Sequence, residues 1–246
     1  TALVGVLNPF WNEKDYISAH QYRRFCNATV PLVRLPKMIY QNGDTLKAQV
    51  EVSHFGKEEI VDAIPTWILS DSNGKTILQG KLPRTTIPFG NGIGLGEISQ
   101  SLSSVMGPQK LTLTIAVNEY ENSWDIWVYP SSLPDISDQI LLTQKLDTRA
   151  IEVLENGGKV LLVLKKGSLK PEKGGNIAVG FSSIFWNTAW TGNQAPHTLG
   201  ILCNPTHPAL KDFPTAFHSD WQWWHLVGRA GAMILPHPGY RPGLEE

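Results

Sequence analysis

Aromatic residues form the densest group of side chains in this sequence that could carry out binding chemistry. The chain contains nine Trp, and several of them fall between residues 181 and 225 together with Phe, amide and imidazole side chains. Flat rings beside such hydrogen-bonding groups are suited to a neutral sugar. The candidate sugar-binding residues are Trp186, Asn187, Trp190, His218, Trp221, Gln222 and Trp223. We nevertheless favour packing into a core or an interface, because adjacent Trp residues cannot all face one pocket.

Metal and cofactor chemistry is not indicated by the spacing of the remaining groups. Cys203 and His207 are four residues apart, but zinc ligands normally come in two tight pairs, and the other His residues do not complete that pattern. The glycine-rich stretch Gly90–Gly96 lacks the preceding strand and following helix of a dinucleotide-binding loop, which favours a flexible β-loop. We expect neither a metal nor a cofactor.

Catalytic nucleophiles and acids are equally sparse. The sequence has no Gly-x-Ser-x-Gly motif, and we interpret Cys26 and Cys203 as buried structural thiols. Glycoside hydrolysis needs two carboxylates about 5–9 Å apart. Glu13 and Asp15 are the acids that deserve examination, and a solvated loop is the better interpretation for them. No catalytic residue is therefore predicted.

Composition excludes several classes of protein. The chain has 246 residues, 21 Lys plus Arg and 22 Asp plus Glu, which give a formal net charge of −1. A balanced charge leaves no electrostatic footprint for nucleic acid. No apolar run approaches the roughly 20 residues of a membrane helix, and two Cys cannot form a disulfide scaffold. Neither nucleic acid nor membrane is an expected partner.

The elements that must position these residues fall into three segments. Residues 1–36 open with the apolar run Ala2–Leu7, which is typical of a strand buried on both faces. Ser18 and Gln21 then form a capping-box pattern that begins a helix. We interpret this segment as the end of an α/β barrel plus a connector from Pro31 to Pro36, and expect the chain to be the C-terminal piece of a longer protein.

Residues 37–130 carry period-two patterns typical of half-buried strands, for example Leu46–Val52 and Leu111–Val117. Residues Ile60–Leu69 predict another strand, with Pro65 at a bulge or edge. Short strands with frequent turns predict an immunoglobulin-like antiparallel β-sandwich. The pattern changes near Pro130.

Residues 131–246 predict a small α/β domain with Trp-rich loops. The pattern predicts a helix over Thr143–Asn156, which Gly157 and Gly158 terminate. It predicts a buried strand over residues 159–164, and this helix and strand together make half of a βαβ unit. Residues 140–142 are a candidate for the preceding strand. Further strands are predicted at 198–202 and 231–235. The fold class is thus multidomain, mixed β and α/β.

Several motifs resemble one family. The run 3–11, from Leu3 to Trp11, is similar to the end of the catalytic barrel in the β-galactosidase-like glycoside hydrolase family 2 proteins of gut bacteria. Residues 122–130 resemble the closing strand of the sandwich that follows in such proteins. Residues 185–187, 196–200, 207–210 and 221–224 resemble their C-terminal segment. The family's catalytic acids lie upstream, and no segment here matches them.

The resemblance implies an accessory function. The chain would be a non-catalytic C-terminal portion of a carbohydrate-degrading glycoside hydrolase, bracing the upstream catalytic barrel and contributing sugar contacts or a homo-oligomer interface. It also implies a periplasmic or extracellular location. The alternatives are a standalone carbohydrate-binding module that uses the Trp-rich loops, and an amidotransferase-like α/β enzyme domain.

We predict that the purified chain hydrolyses no nitrophenyl glycoside, because its sequence carries no paired-carboxylate motif. Release of nitrophenol from a panel of glycosides would measure this. Turnover that disappears in Glu13→Gln would overturn the prediction.

Overall fold

The computed structural model describes residues 5–133, 135, 137–181 and 200–234. The chain divides into two compact units, the first built from the residues up to Ser132 together with Asp212–Pro214, and the second from the rest. Most of the regular structure consists of antiparallel β-strands, with few helices. Among the described residues, no helix combines the length and the apolar character needed to cross a membrane.

The described residues of the first unit form ten strands and one short helix. In chain order they are α1 (Ala19–Arg23), β1 (Thr29–Arg34), β2 (Ile39–Gln41), β3 (Thr45–His54), β4 (Ile60–Ala63), β5 (Thr66–Asp71), β6 (Thr76–Lys81), β7 (Thr85–Ile87), β8 (Gly90–Ser101), β9 (Gln109–Val117) and β10 (Tyr120–Tyr129). One sheet has the order β1-β3-β8, a second has the order β2-β10-β9-β5-β6, and β4 pairs with β7. All pairs are antiparallel except β2 with β10.

Alternating aliphatic side chains from both larger sheets form a single core. In β3 the side chains of Leu46, Ala48, Val50 and Val52 are buried, and in β9 those of Leu111, Leu113, Ile115 and Val117 are buried. The period-two predictions for both strands are confirmed. Burying each Leu, Ile or Val side chain of these rows stabilises the fold by about 1.5–3 kcal/mol. Two largely antiparallel sheets that share one apolar core form a β-sandwich.

The sandwich departs from the sequence prediction at three places. Residues 29–34 are strand β1 rather than part of a connector, and Pro31 is tolerated because β1 lies at the edge of its sheet. The single strand predicted for residues 60–69 is two strands in different sheets, β4 and β5, with Pro65 between them. The glycine-rich stretch is not a loop, since Gly90–Gly96 begins β8 and pairs with β3.

The N-terminal segment contains less regular structure than expected. Ser18 caps α1 and forms the predicted capping box with Gln21, but the helix is a single turn and buries no residue. Leu7 forms only an isolated bridge with Glu13, and residues 1–4 of the predicted first strand lie outside the described residues. Arg24 holds the segment to β10 through Glu121, with Nη2 2.8 Å from Oε1.

The second unit contains a βαβ unit. Strands β11 (Ile140–Thr143) and β12 (Lys159–Leu162) are parallel and are joined by α2 (Thr148–Glu155). Asp147 caps α2 by accepting a hydrogen bond from the Ala150 amide at 3.0 Å. The predicted order of strand, helix and strand is confirmed, but the expected burial of the second strand is wrong, because Leu161 and Leu162 are exposed.

The predicted strands at residues 198–202 and 231–235 do not form as such in the described part of the chain. Leu202 makes an isolated antiparallel bridge with His218, and residues 231–234 have no regular structure. The described residues after β12 form short turns and α3 (Trp224–Arg229) instead.

Gly80 offers a test of the packing in the sandwich. It lies directly opposite the buried Trp67 in the β5–β6 ladder, and a Cβ at residue 80 would stand 2.6 Å from the indole Nε1. We predict that Gly80→Ala lowers the free energy of unfolding by about 1–3 kcal/mol, as overpacking does. Urea denaturation measures this change.

Gly94→Ala is the matched control, since it also lies in a strand and a Cβ there would meet nothing within 4 Å. Equal effects of the two substitutions would contradict the close packing of Trp67 against Gly80.

Candidate functional site

A short turn followed by a helix positions the aromatic residues near the end of the described chain. Residues Trp221–Trp223 form a single 3-10 turn that runs directly into α3. In such a turn, residues three apart lie on the same side. Trp221 and Trp224 are therefore brought together, whereas the two residues between them point in other directions.

Trp221, Trp224 and Phe181 form the aromatic cluster of this site. The ring centroids of Trp221 and Trp224 are 5.4 Å apart at an interplanar angle of 86°, and Phe181 stacks on Trp224 at 5.7 Å and 15°. Despite these contacts, Trp221 is 51% exposed and Trp224 is 52% exposed. The cluster thus presents ring surface to solvent rather than filling a core.

The two residues between these rings are held in place by the unit itself. Gln222 is buried, and its Nε2 lies 3.5 Å from Oδ2 of Asp220. Trp223 is half-buried, and its indole N–H donates to Oγ1 of Thr215 at 2.8 Å. Both side chains serve as anchors for the turn that displays Trp221 and Trp224.

The other predicted sugar-binding residues are not part of this cluster in the described structure. His218 is exposed, with Nδ1 3.0 Å from the Ser219 carbonyl oxygen. Trp186, Asn187 and Trp190 lie outside the described residues.

A cavity of about 450 Å³ adjoins the cluster, lined by Val179, Gly180, Phe181, Trp224, Val227 and Gly228. The described residues of this lining are apolar side chains and glycines, which suits the body of a ligand that stacks on the rings.

Trp224 and Phe181 were not among the candidates that sequence reasoning selected as site residues. The three-residue spacing of Trp221 and Trp224 could have predicted their contact, since residues i and i+3 lie on the same face of a helical turn. Phe181 stands 43 residues before Trp224 in the printed sequence, and only the tertiary structure brings them together.

The candidate nucleophiles and acids do not assemble into a catalytic site among the described residues. Cys26 is exposed, so its interpretation as a buried thiol was wrong: it lies after the end of α1, a single turn that itself buries no residue. Glu13 accepts a hydrogen bond from the Ala19 amide at 2.7 Å and so supports the start of α1. The described residues contain no group of three His, Cys, Asp or Glu side chains that could hold a metal ion.

Cys203 lies in a different environment from Cys26. It is half-buried, and its Sγ lies 3.7 Å from the Ile201 carbonyl oxygen. Burial raises the pKa of the Cys203 thiol, and the negative charge of Asp220 raises it further, against an opposing hydrogen bond with Thr215.

Two family models match the sequence, each over less than half of the chain. One is described as Domain of unknown function (DUF8488) and matches residues 44–130. The other is described as Domain of unknown function (DUF8487) and matches residues 141–245. A comparison with curated proteins finds no match.

Three solved structures resemble this chain at low identity. An alkylpurine DNA glycosylase from Pseudomonas fluorescens is 10% identical with a TM-score of 0.35, over 42% of this chain and 30% of that one. An alpha-2-macroglobulin from E. coli is 13% identical with a TM-score of 0.34, over 48% of this chain and 7% of that one. A beta-glucuronidase from Parabacteroides merdae is 17% identical with a TM-score of 0.29, over 42% of this chain and 14% of that one. The matches span less than a third of each of these three proteins.

The two thiols should differ in reactivity. A raised pKa leaves a smaller fraction of Cys203 as the reactive thiolate near neutral pH and moves its alkylation to higher pH. We predict that Cys203 in a Cys26→Ser variant reacts with iodoacetamide more slowly at pH 8 than Cys26 does in a Cys203→Ser variant. Mass spectrometry of the time course measures both rates.

Asp220→Asn removes the charge that raises the Cys203 pKa, so it should speed the alkylation of Cys203. A Cys203 that reacts as fast as Cys26, and that does not respond to Asp220→Asn, would contradict the environment described for this thiol.

Proposed function

We propose that this chain is a non-catalytic accessory region of a carbohydrate-degrading protein, and that its aromatic cluster contacts sugar. The observation that carries the proposal is the pair of half-exposed rings of Trp221 and Trp224, which the unit holds edge to face beside Phe181. Apolar ring faces bind the C–H faces of sugars, and a rigid ring pair loses little entropy on binding.

The way the turn is anchored supports this proposal. Rings that served only to fill a core would be buried, as Trp67 and Trp127 are in the sandwich. Here Gln222 and Trp223 provide the anchoring, and Trp221 and Trp224 remain open to solvent. The local structure therefore separates residues that hold the turn from residues that display ring surface.

Four acids of the sandwich are engaged in ion pairs, and this engagement fits an accessory role. Glu121, Glu51, Asp44 and Asp125 each form an ion pair with Arg or Lys at 2.6–2.8 Å. Carboxylates engaged in this way connect strands and segments, and they are not the two facing groups that glycoside hydrolysis requires.

The finer parts of the proposal follow from the family resemblance. The sandwich would be immunoglobulin-like, and residues 1–36 would be the end of the catalytic barrel. Phe10 and Trp11 would then pack against the rest of that barrel, since they are 81% and 82% exposed in this chain. The protein would be periplasmic or extracellular, with homo-oligomer formation as a further role.

The amidotransferase-like alternative receives no comparable support. Its nucleophile would stand between a strand and a helix, and the connection from β11 to α2, residues 144–147, contains neither Ser nor Cys. A standalone carbohydrate-binding module would bind sugar with the same aromatic cluster. It differs from our proposal only in that the chain would not belong to a glycoside hydrolase.

The proposal predicts that Trp221→Ala and Trp224→Ala each weaken binding of β-linked galacto-oligosaccharides by about tenfold or more, because each removes a stacking face. Isothermal titration calorimetry measures the affinity. Because both rings are half exposed, we expect each variant to keep most of its thermal stability, whereas truncation of a core Trp costs about 3–5 kcal/mol.

Trp11→Ala is the matched control, since it removes an exposed Trp from the first unit and should leave the affinity unchanged. A large fall in melting temperature of Trp221→Ala and Trp224→Ala without loss of affinity would show that the rings are structural. An unmodified chain that binds no oligosaccharide would also contradict the proposal.

A further inference from the structure

A second concave site in the same unit begins where β12 ends. Residues Leu162–Lys166 form one wall of a cleft of about 580 Å³, and residues of α3 and the chain that follows it, up to Met233, form the opposite wall. Strand β12 is parallel to β11. Open α/β sheets commonly bind ligands beyond the carboxyl ends of their strands, and this cleft lies at the carboxyl end of β12.

Main-chain contacts hold the walls of this cleft. Val163 extends the parallel ladder by donating its amide to the Thr143 carbonyl at 2.8 Å, and Ile234 donates to the Lys173 carbonyl at 2.9 Å. A Cβ at Gly175 would stand 1.9 Å from the Leu169 carbonyl oxygen, so this part of the wall is built on a backbone approach that only glycine permits.

The charged side chains among the described residues that line the cleft all have the same sign. They are the cations Lys165, Lys166 and Arg229, and His225 adds an imidazole. No Asp or Glu is found among the described residues that line it. The chain as a whole carries a formal charge of −1, so this positive lining is a local feature rather than a consequence of composition.

The rest of the lining is apolar and includes Leu162, Ile177, Leu226 and Met233. Trp223 also lines the cleft, but its indole N–H is used by Thr215. The described lining has no Asn, Gln, Ser or Thr side chain. This lining offers cationic donors around an apolar surface, which suits a ligand with an anionic head and an apolar body.

We propose that this cleft binds an amphipathic organic anion, with its carboxylate or sulfonate paired to Lys165 and Arg229 and its apolar body against Leu162, Ile177 and Leu226. Arg229 can bind a carboxylate through two parallel hydrogen bonds. Lys166 donates to the Gly228 carbonyl at 2.8 Å and so connects the walls as well as adding positive charge. The site is separate from the aromatic cluster, and this inference goes beyond the proposed sugar contact.

Decanoate is the probe for this site, titrated below its micelle concentration and followed by isothermal titration calorimetry. We expect saturable binding of one decanoate per chain. Acetate, which lacks the apolar body, and decyltrimethylammonium, which has the opposite charge, should not bind. Binding of decyltrimethylammonium as tight as that of decanoate would overturn the proposal, as would the absence of saturable decanoate binding.

Variants locate the binding. Arg229→Gln and Lys165→Gln should each raise the decanoate Kd about tenfold, since each removes a charge-assisted contact. Arg149→Gln and Lys211→Gln are matched controls, because these side chains are exposed and lie outside the cleft. Equal losses in the controls would overturn the assignment to this cleft.

Arg229→Lys keeps the charge but not the two parallel hydrogen bonds, so its decanoate Kd should lie between those of the unmodified chain and Arg229→Gln. An unchanged melting temperature of Arg229→Gln distinguishes loss of charge from loss of fold. Trp221→Ala and Trp224→Ala should bind decanoate normally. Sugar binding and decanoate binding are therefore tested by different variants, so either proposal can fail without the other.

Discussion

Alternating burial of aliphatic side chains between two sheets is the constraint on which the first unit depends. Successive side chains of a strand point to opposite faces of the sheet, so a shift of one residue in the strand pairing would turn the aliphatic side chains away from the core. The core therefore fixes the register of β3 and of β9. Leu46 and Leu113 show the result, since both are fully buried in a single apolar cluster. The irregular features, such as Pro31 and the glycines of β8, are confined to edges and bulges where they do not disturb that core.

The second unit follows a different physical rule. Ala150 and Val227 are its buried apolar side chains among the described residues, whereas many large apolar side chains of this unit are exposed. Its described structure relies on caps, short turns and backbone hydrogen bonds to hold particular groups in place. That arrangement leaves Trp221 and Trp224 displayed as ring surface, and it leaves a cleft with positive lining beyond β12.

Sequence patterns predicted the parts of the fold that are governed by local periodicity and capping. The rows in β3 and β9, the Ser18 capping box and the strand–helix–strand order around α2 are examples. The predicted burial of β12 was wrong. An apolar run shows that a strand is suited to burial, but it does not show that another element of the fold packs against that strand. The pairing of Phe181 with Trp224 depends on tertiary structure that no local pattern encodes.

The most direct test of the central claim, that the aromatic cluster is a sugar-binding surface, is the indole N–H region of an NMR spectrum recorded during titration with a β-linked galacto-oligosaccharide. Single Trp→Phe variants would assign the signals. We predict saturable shifts for Trp221 and Trp224, with the buried Trp67 and Trp127 unchanged. Signals of Trp221 and Trp224 that do not move at saturating sugar, or equal shifts at all four residues, would contradict the claim.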